Sequence, residues 1–221
     1  METKMTEQTN DGIFNLTKPV IMTFPNLFKA RVFKGKGGKE LGEPKFDASF
    51  VLEPDADDLK AMKALCVKIA KANRPSADLK SMAFPFKSGD KLAEKAAEKG
   101  KKNEVVKGKV VLSARSKYQP RLSGFENGKI VDYDDETAIA RAKGKFFPGA
   151  LVYAQFNFVW YDEVGQGPAG VNAYLNMVLS TGKGDRLGGG RPAAEVFSGY
   201  VGNISNDDPT AGQTVDDEIP F

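Results

Sequence analysis

Ala150-Leu151-Val152-Tyr153-Ala154-Gln155-Phe156-Asn157-Phe158-Val159-Trp160-Tyr161 is the stretch that decides the fold. Val152, Ala154, Phe156, Phe158 and Trp160 are apolar, while Tyr153, Gln155, Asn157 and Tyr161 take the other positions. A period of two predicts a strand with one buried and one polar face, here over residues 150–163. Residues 170–181 read as its partner strand, with Val171, Ala173, Leu175, Met177 and Leu179 as core and Asn172, Tyr174 and Asn176 opposite. Gly165-Gln166-Gly167-Pro168 supplies the turn between them.

Further strands are expected on the N-terminal side. Residues 45–53 alternate, with Phe46, Ala48, Phe50 and Leu52 on one face. Residues 17–24 and 27–34 read as two strands around Pro25-Asn26, and residues 104–117 as another. Pro54 opens the main helix. Asp55, Asp57 and Asp58 suit its positive start, and Lys68, Lys71 and Arg74 its end. Leu59, Met62, Leu65, Cys66 and Ile69 form its apolar stripe, so Cys66 is expected in the core. A short charged helix over residues 91–99, ended by Gly100, is expected on the surface. Residues 121–145 read as irregular, with a helix at 135–143.

This pattern predicts a mainly β fold: an OB-fold-type antiparallel β-barrel with one main inserted α-helix. A β-sandwich with an added helix is the alternative. Residues 1–12 read as a flexible leader, 13–200 as the barrel domain and 201–221 as a disordered acidic tail. Residues 182–191 hold five glycines and begin a tether, interrupted by a docked segment at 193–200.

The chain has no histidine and one cysteine among 221 residues. The first absence removes Ser-His-Asp and Cys-His nucleophile pairs and most zinc and haem sites. A non-enzyme without cofactor or metal is expected. Residues 35–39 lack P-loop spacing, and residues 182–188 do not match the dinucleotide fingerprint. No apolar run approaches the roughly 20 residues of a membrane span, and residues 1–11 lack signal-peptide features. A soluble intracellular protein with no membrane partner is therefore expected. All 32 lysines and arginines lie before residue 206 with 24 of the 29 acids, leaving +8 on residues 1–205 and −5 on the last 16. A basic body with an acidic tail points to a polyanionic ligand and an internal competitor for its site.

The outward strand positions carry Lys, Arg, Tyr, Phe, Asn and Gln. Lys29, Arg31, Lys107, Lys109, Arg115, Lys117 and Arg121 are the candidate phosphate partners. Phe33, Tyr118, Tyr153 and Tyr174 are the candidate base-stacking rings. Aromatic and basic groups interleaved on one sheet face are what non-specific single-strand binding requires, with stacking contributing about 1–3 kcal/mol per base. The same residue types are ordinary on a solvated strand. Asp132, Asp134, Asp135 and Glu136 read either as a solvated turn or helix start, or as a Mg²⁺ site of a carboxylate-metal nuclease.

The chain ends Asp216-Asp217-Glu218-Ile219-Pro220-Phe221. A terminal carboxylate beside a phenyl ring suits a small apolar pocket with a basic residue, and the acids suit a basic rim. This ending resembles the tip of bacterial single-stranded-DNA-binding proteins, Asp-Asp-Asp-Ile-Pro-Phe, with Glu218 in place of the third Asp. The body resembles a family of bacteriophage single-stranded-DNA-binding proteins. Its matching features are Pro85-Phe86-Lys87-Ser88-Gly89-Asp90, Pro148-Gly149, residues 170–176, and residues 182–189 followed by Phe197. The resemblance covers most of residues 15–200. It implies an OB-fold and sequence-non-specific binding of single-stranded DNA in phage replication, recombination or repair, in the cytoplasm of an infected bacterial host. It also implies that the tip, Asp216 to Phe221, binds replication and recombination proteins and occupies the DNA groove when DNA is absent. A strand-annealing recombination protein and a virion structural protein remain as alternatives, and the oligomeric state stays open.

Overall fold

The computed structural model describes residues 12–34, 40–163 and 167–187. The elements, in chain order, begin with β1 (Ile13–Asn15), β2 (Val20–Lys34), β3 (Glu40–Leu52) and α1 (Asp57–Asn73). Next come β4 (Phe86–Ser88), α2 (Gly89–Ala97), β5 (Val110–Ser116), β6 (Arg121–Glu126) and β7 (Lys129–Asp132). α3 (Glu136–Ala142), β8 (Ala150–Tyr161) and β9 (Gly170–Gly184) complete the fold.

Strands β2, β3, β5, β9 and β8 pair in that order, and β8 pairs back to β2, closing a barrel. All these pairs are antiparallel except β5–β9. Numbered within the barrel, the order is first, second, third, fifth, fourth, which is the OB-fold order. Inward residues fill it as alternation predicts: Ala48, Phe50 and Leu52 of β3, and Val152, Ala154, Phe156 and Phe158 of β8, are buried. Phe50 and Phe156 meet edge to face with centroids 5.0 Å apart. Trp160 is half-buried and packs against this core. Glycine closes the seam: Gly149 has φ +103°, and a Cβ there would lie 1.7 Å from the Asp185 carbonyl oxygen.

Helix α1 lays Leu59, Met62, Cys66 and Ala70 on the core, with Asp57 and Asp58 in its first turn and Lys71 in its last. Asp58 also accepts hydrogen bonds from Thr17 N (2.9 Å) and Thr17 Oγ1 (2.8 Å), tying the helix to the segment before β2. Burial pushes the Cys66 thiol up to about 12, so it stays protonated at neutral pH. Iodoacetamide is accordingly expected to leave Cys66 unmodified in the folded chain and to label it fully in denaturant. Quantitative labelling of the folded chain, read by mass spectrometry, would contradict this packing.

Three local expectations need correcting. Residues 17–24 and 27–34 do not form two strands: β2 runs through Pro25-Asn26 as a bulge, where Phe24 has φ +50° and the register against β3 slips by one residue. Residues 104–109 are not strand. They form a 3-10 turn at Glu104–Val106 and a tight turn at Gly108 (φ +69°), and β5 starts only at Val110. Residues 121–132 are not irregular: β6 and β7 form a hairpin across Asn127 (φ +51°) and Gly128 (φ +76°). The two positive φ values are what a two-residue type I′ turn requires of Asn-Gly. Helix α2 lies on the surface as expected, with most of its residues exposed. Ala93 packs with Val51, Val106 and Val111 in a second small cluster on the outside of the barrel.

Candidate nucleic-acid interface

In β3 and β5 the residues between the core positions face outward, and α2 covers the Val51–Val111 end of that face. The other end is open. There a row of directly opposed residues crosses the sheet: Asp47 (β3), Arg115 (β5), Tyr174 (β9), Asn157 (β8) and Ile13 (β1). Opposed residues share a face. Tyr174 is 39% exposed and Arg115 is exposed beside it. A neighbouring row runs from Arg121 through Met177 and Gln155 to Asn15, where Gln155 Nε2 donates to Asn15 Oδ1 at 2.8 Å.

The charge on this face is mostly positive. Arg31 donates to both oxygens of Asp47, at 2.9 and 2.8 Å, and that bond raises the guanidinium's already high pKa. Lys117 Nζ sits 3.0 Å from Glu43, which raises its pKa. Both pairs lie largely exposed at the surface, where solvent screens them. Lys45, opposite Arg31, and Arg115 and Arg121 have no carboxylate within salt-bridge distance among the described residues. Lys87, opposite Val111 on β4, is held below the ordinary lysine value. Burial of its ammonium is the first cause, and the charges of Arg115 and Lys95 follow.

In OB-folds, oligonucleotides bind across the face of the second and third barrel strands. These are β3 and β5, the strands that present Lys45 and Arg115. The family model described as the ssDNA-binding protein of Enterobacter phage Enc34 matches residues 15–209. The chain belongs to this family. Two solved structures of the Enc34 protein are similar in fold, each at 17% identity. The one in complex with ssDNA has a TM-score of 0.59 and covers 83% of this chain and 97% of its own. The other has a TM-score of 0.56, with 86% and 95% covered. Among curated proteins, no relative matches the chain.

The Enc34-type barrel gathers some of the candidate residues and separates others. Arg115 and Tyr174 are neighbours in one row, and Arg121 begins the next. Tyr153 lies two residues along β8 from Gln155, half-buried opposite Leu179. Lys117 and Tyr118 occupy the β5–β6 connection, where Tyr118 is 77% exposed and its N–H donates to Ser116 Oγ at 3.2 Å. Lys29 is exposed in the irregular part of β2 between Asn26 and Arg31. Phe33 opposes Leu41 in the β2–β3 ladder, and its side chain lies outside the described residues. Lys107 and Lys109 stand beyond the far end of β5, paired with Glu104 (2.7 Å) and Glu53 (2.8 Å). Lys109 is six residues from Arg115, about 20 Å along the strand. Asp216 to Phe221 lie outside the described residues.

The acidic run serves structure here. Asp132 accepts from Ser123 Oγ at 2.6 Å, and Asp135 caps α3 by accepting from Ala138 N at 2.7 Å. Several outward residues escaped the sequence reading. At Asn176 the β8–β9 register slips, so Val178 and Ser180 turn inward and Met177 and Leu179 turn outward, reversing the expected face of both. Phe125, 43% exposed, and Ile130, 61% exposed, oppose each other on the hairpin, on the face of Arg121. The Asn127-Gly128 pair was the available signal for that hairpin.

Proposed function

We propose that this chain binds single-stranded DNA without sequence preference across the open outer face of β3, β5, β9 and β8. Arg115, Arg121, Lys45, Lys117 and Arg31 pair with phosphates; Tyr174, Tyr118 and Tyr153 stack bases. The observation that carries this reading is the Asp47–Arg115–Tyr174–Asn157 row, which sets a cation with no acid partner among the described residues beside an exposed ring on the open part of an OB barrel. Family membership and the Enc34 protein's own complex with ssDNA support it. The role is protective and non-catalytic, in phage DNA replication, recombination or repair inside the infected host cell. The tip Asp216 to Phe221 recruits replication and recombination proteins and competes with DNA for the basic face.

The test is salt-titrated binding of labelled oligo-dT by the full chain and by a chain ending at Ser205. Both should bind, with affinity falling steeply as salt rises, because each neutralised phosphate adds about 0.7 to the logarithmic salt slope for a single strand. The shorter chain should bind more tightly, since it lacks the competing acids. Absence of binding by either chain at low salt would sink the reading. Equal affinity for the two would remove the competition and leave the face.

A further inference from the structure

Helix α2 is seated firmly on the barrel. Its first residue, Gly89, donates to the Lys109 carbonyl at 2.9 Å, and a Cβ there would lie 1.8 Å from the Val106 carbonyl oxygen. Asp90 accepts from Gly108 N at 2.7 Å. Ala93 and Leu92 pack on Val51, Val106 and Val111. The helix is thus a fixed wall at the covered end of the outer face, and the Pro85–Asp90 segment builds its entrance.

An open cavity of about 390 Å³ lies along this wall, lined by Phe86, Lys87, Ser88, Lys91, Leu92 and Lys95. Lys91 and Lys95 are one helical turn apart, so they lie on the same side of α2. None of the three lysines has a carboxylate within salt-bridge distance among the described residues, whereas Lys60, Lys107, Lys109, Lys117 and Lys145 each have one. Arg115 and Lys95 both repel the Lys87 ammonium, an effect second to its burial. Folding therefore holds like charges close together on the sheet face and the helix. A bound polyanion relieves that repulsion. Leu92, half-buried, gives the cavity an apolar edge, while the Phe86 ring turns into the core against Phe158.

We infer that this cavity is a second segment of the DNA path, in which Lys87, Lys91 and Lys95 take the phosphodiester backbone as it passes Arg115 and leaves the barrel face. The inference rests on the reading of that face as the single-strand site.

The test uses the full chain and labelled oligo-dT across a salt series. Lys91→Gln with Lys95→Gln should weaken binding on the order of tenfold at low salt and lower the salt slope by about 1.4, from about 0.7 per lost phosphate contact. Lys91→Arg with Lys95→Arg keeps the charges and should bind as the unaltered chain does. A loss in the arginine variant equal to that in the glutamine variant would trace the effect to the helix itself and overturn the inference. Unchanged affinity and slope in the glutamine variant, while the unaltered chain binds, would refute the α2 segment and leave the barrel face standing. Tighter binding by the glutamine variant would mean that these lysines hold the chain's own acidic tail, which also overturns it. An unaltered chain that binds no oligo-dT removes both readings together.

Discussion

Alanine at both Arg115 and Tyr174 is expected to weaken oligo-dT binding by about 10²–10³-fold, combining one lost base stack of about 1–3 kcal/mol with one lost charge-assisted phosphate contact. The two residues oppose each other across β5 and β9, so a base stacked on the ring places its own phosphate near the guanidinium. The single changes should separate in kind. Tyr174→Ala should weaken binding at all salt concentrations alike, because stacking releases no counterions. Arg115→Ala should lower the salt slope by about 0.7. Neither side chain is buried, so thermal stability should stay within about 0.5 kcal/mol of the unaltered chain. Lys107→Ala with Lys109→Ala is the contrast. Those residues sit past the far end of β5, already paired with Glu104 and Glu53, and their loss should change affinity little. A double Arg115/Tyr174 variant binding within about threefold of the unaltered chain would place the site elsewhere.

What sequence could reveal here follows from how far each signal reaches along the chain. Alternation is local, and it found the inward faces of β3 and β8 and the stripe of α1, because each is unbroken over its length. It failed wherever one residue was inserted. The slip at Asn176 exchanged the two faces of β9 beyond that point, so Met177 and Leu179 read as core although Val178 and Ser180 fill it. Pro25 read as a break because it cannot donate to a ladder, yet the β2 bulge accommodates it within the strand. Lys107 and Lys109 read as strand residues because their spacing continues that of β5, but Gly108 turns the chain between them. The pairing of Arg115 with Tyr174 was beyond local reading. It joins residues 59 positions apart through a parallel bridge, set by barrel closure and not by any neighbouring residue. The same holds for Lys87, whose position beside Arg115 depends on β4 docking against β5.

Phe156→Ala is expected to cost about 3–5 kcal/mol of stability, the usual loss for a fully buried Phe. Phe156 is completely buried in mid-β8, with Phe50 at 5.0 Å and Phe158 at 6.1 Å between ring centroids. Truncation opens a void that neither ring can fill, because each is held by its own strand's register. For a chain of this size the melting midpoint should fall by about 10 °C or more. The flanking residues Gln155 and Asn157 point the opposite way, into the proposed DNA face. Below the transition the variant should therefore keep its affinity for oligo-dT within a factor of a few, since the outward row is positioned by the β8–β9 ladder. Loss of stability with retained binding would separate the two faces of one strand. An unchanged melting midpoint would contradict the register of β8 itself, because a slip of one residue would carry Phe156 to the outer face and bring Gln155 into the core.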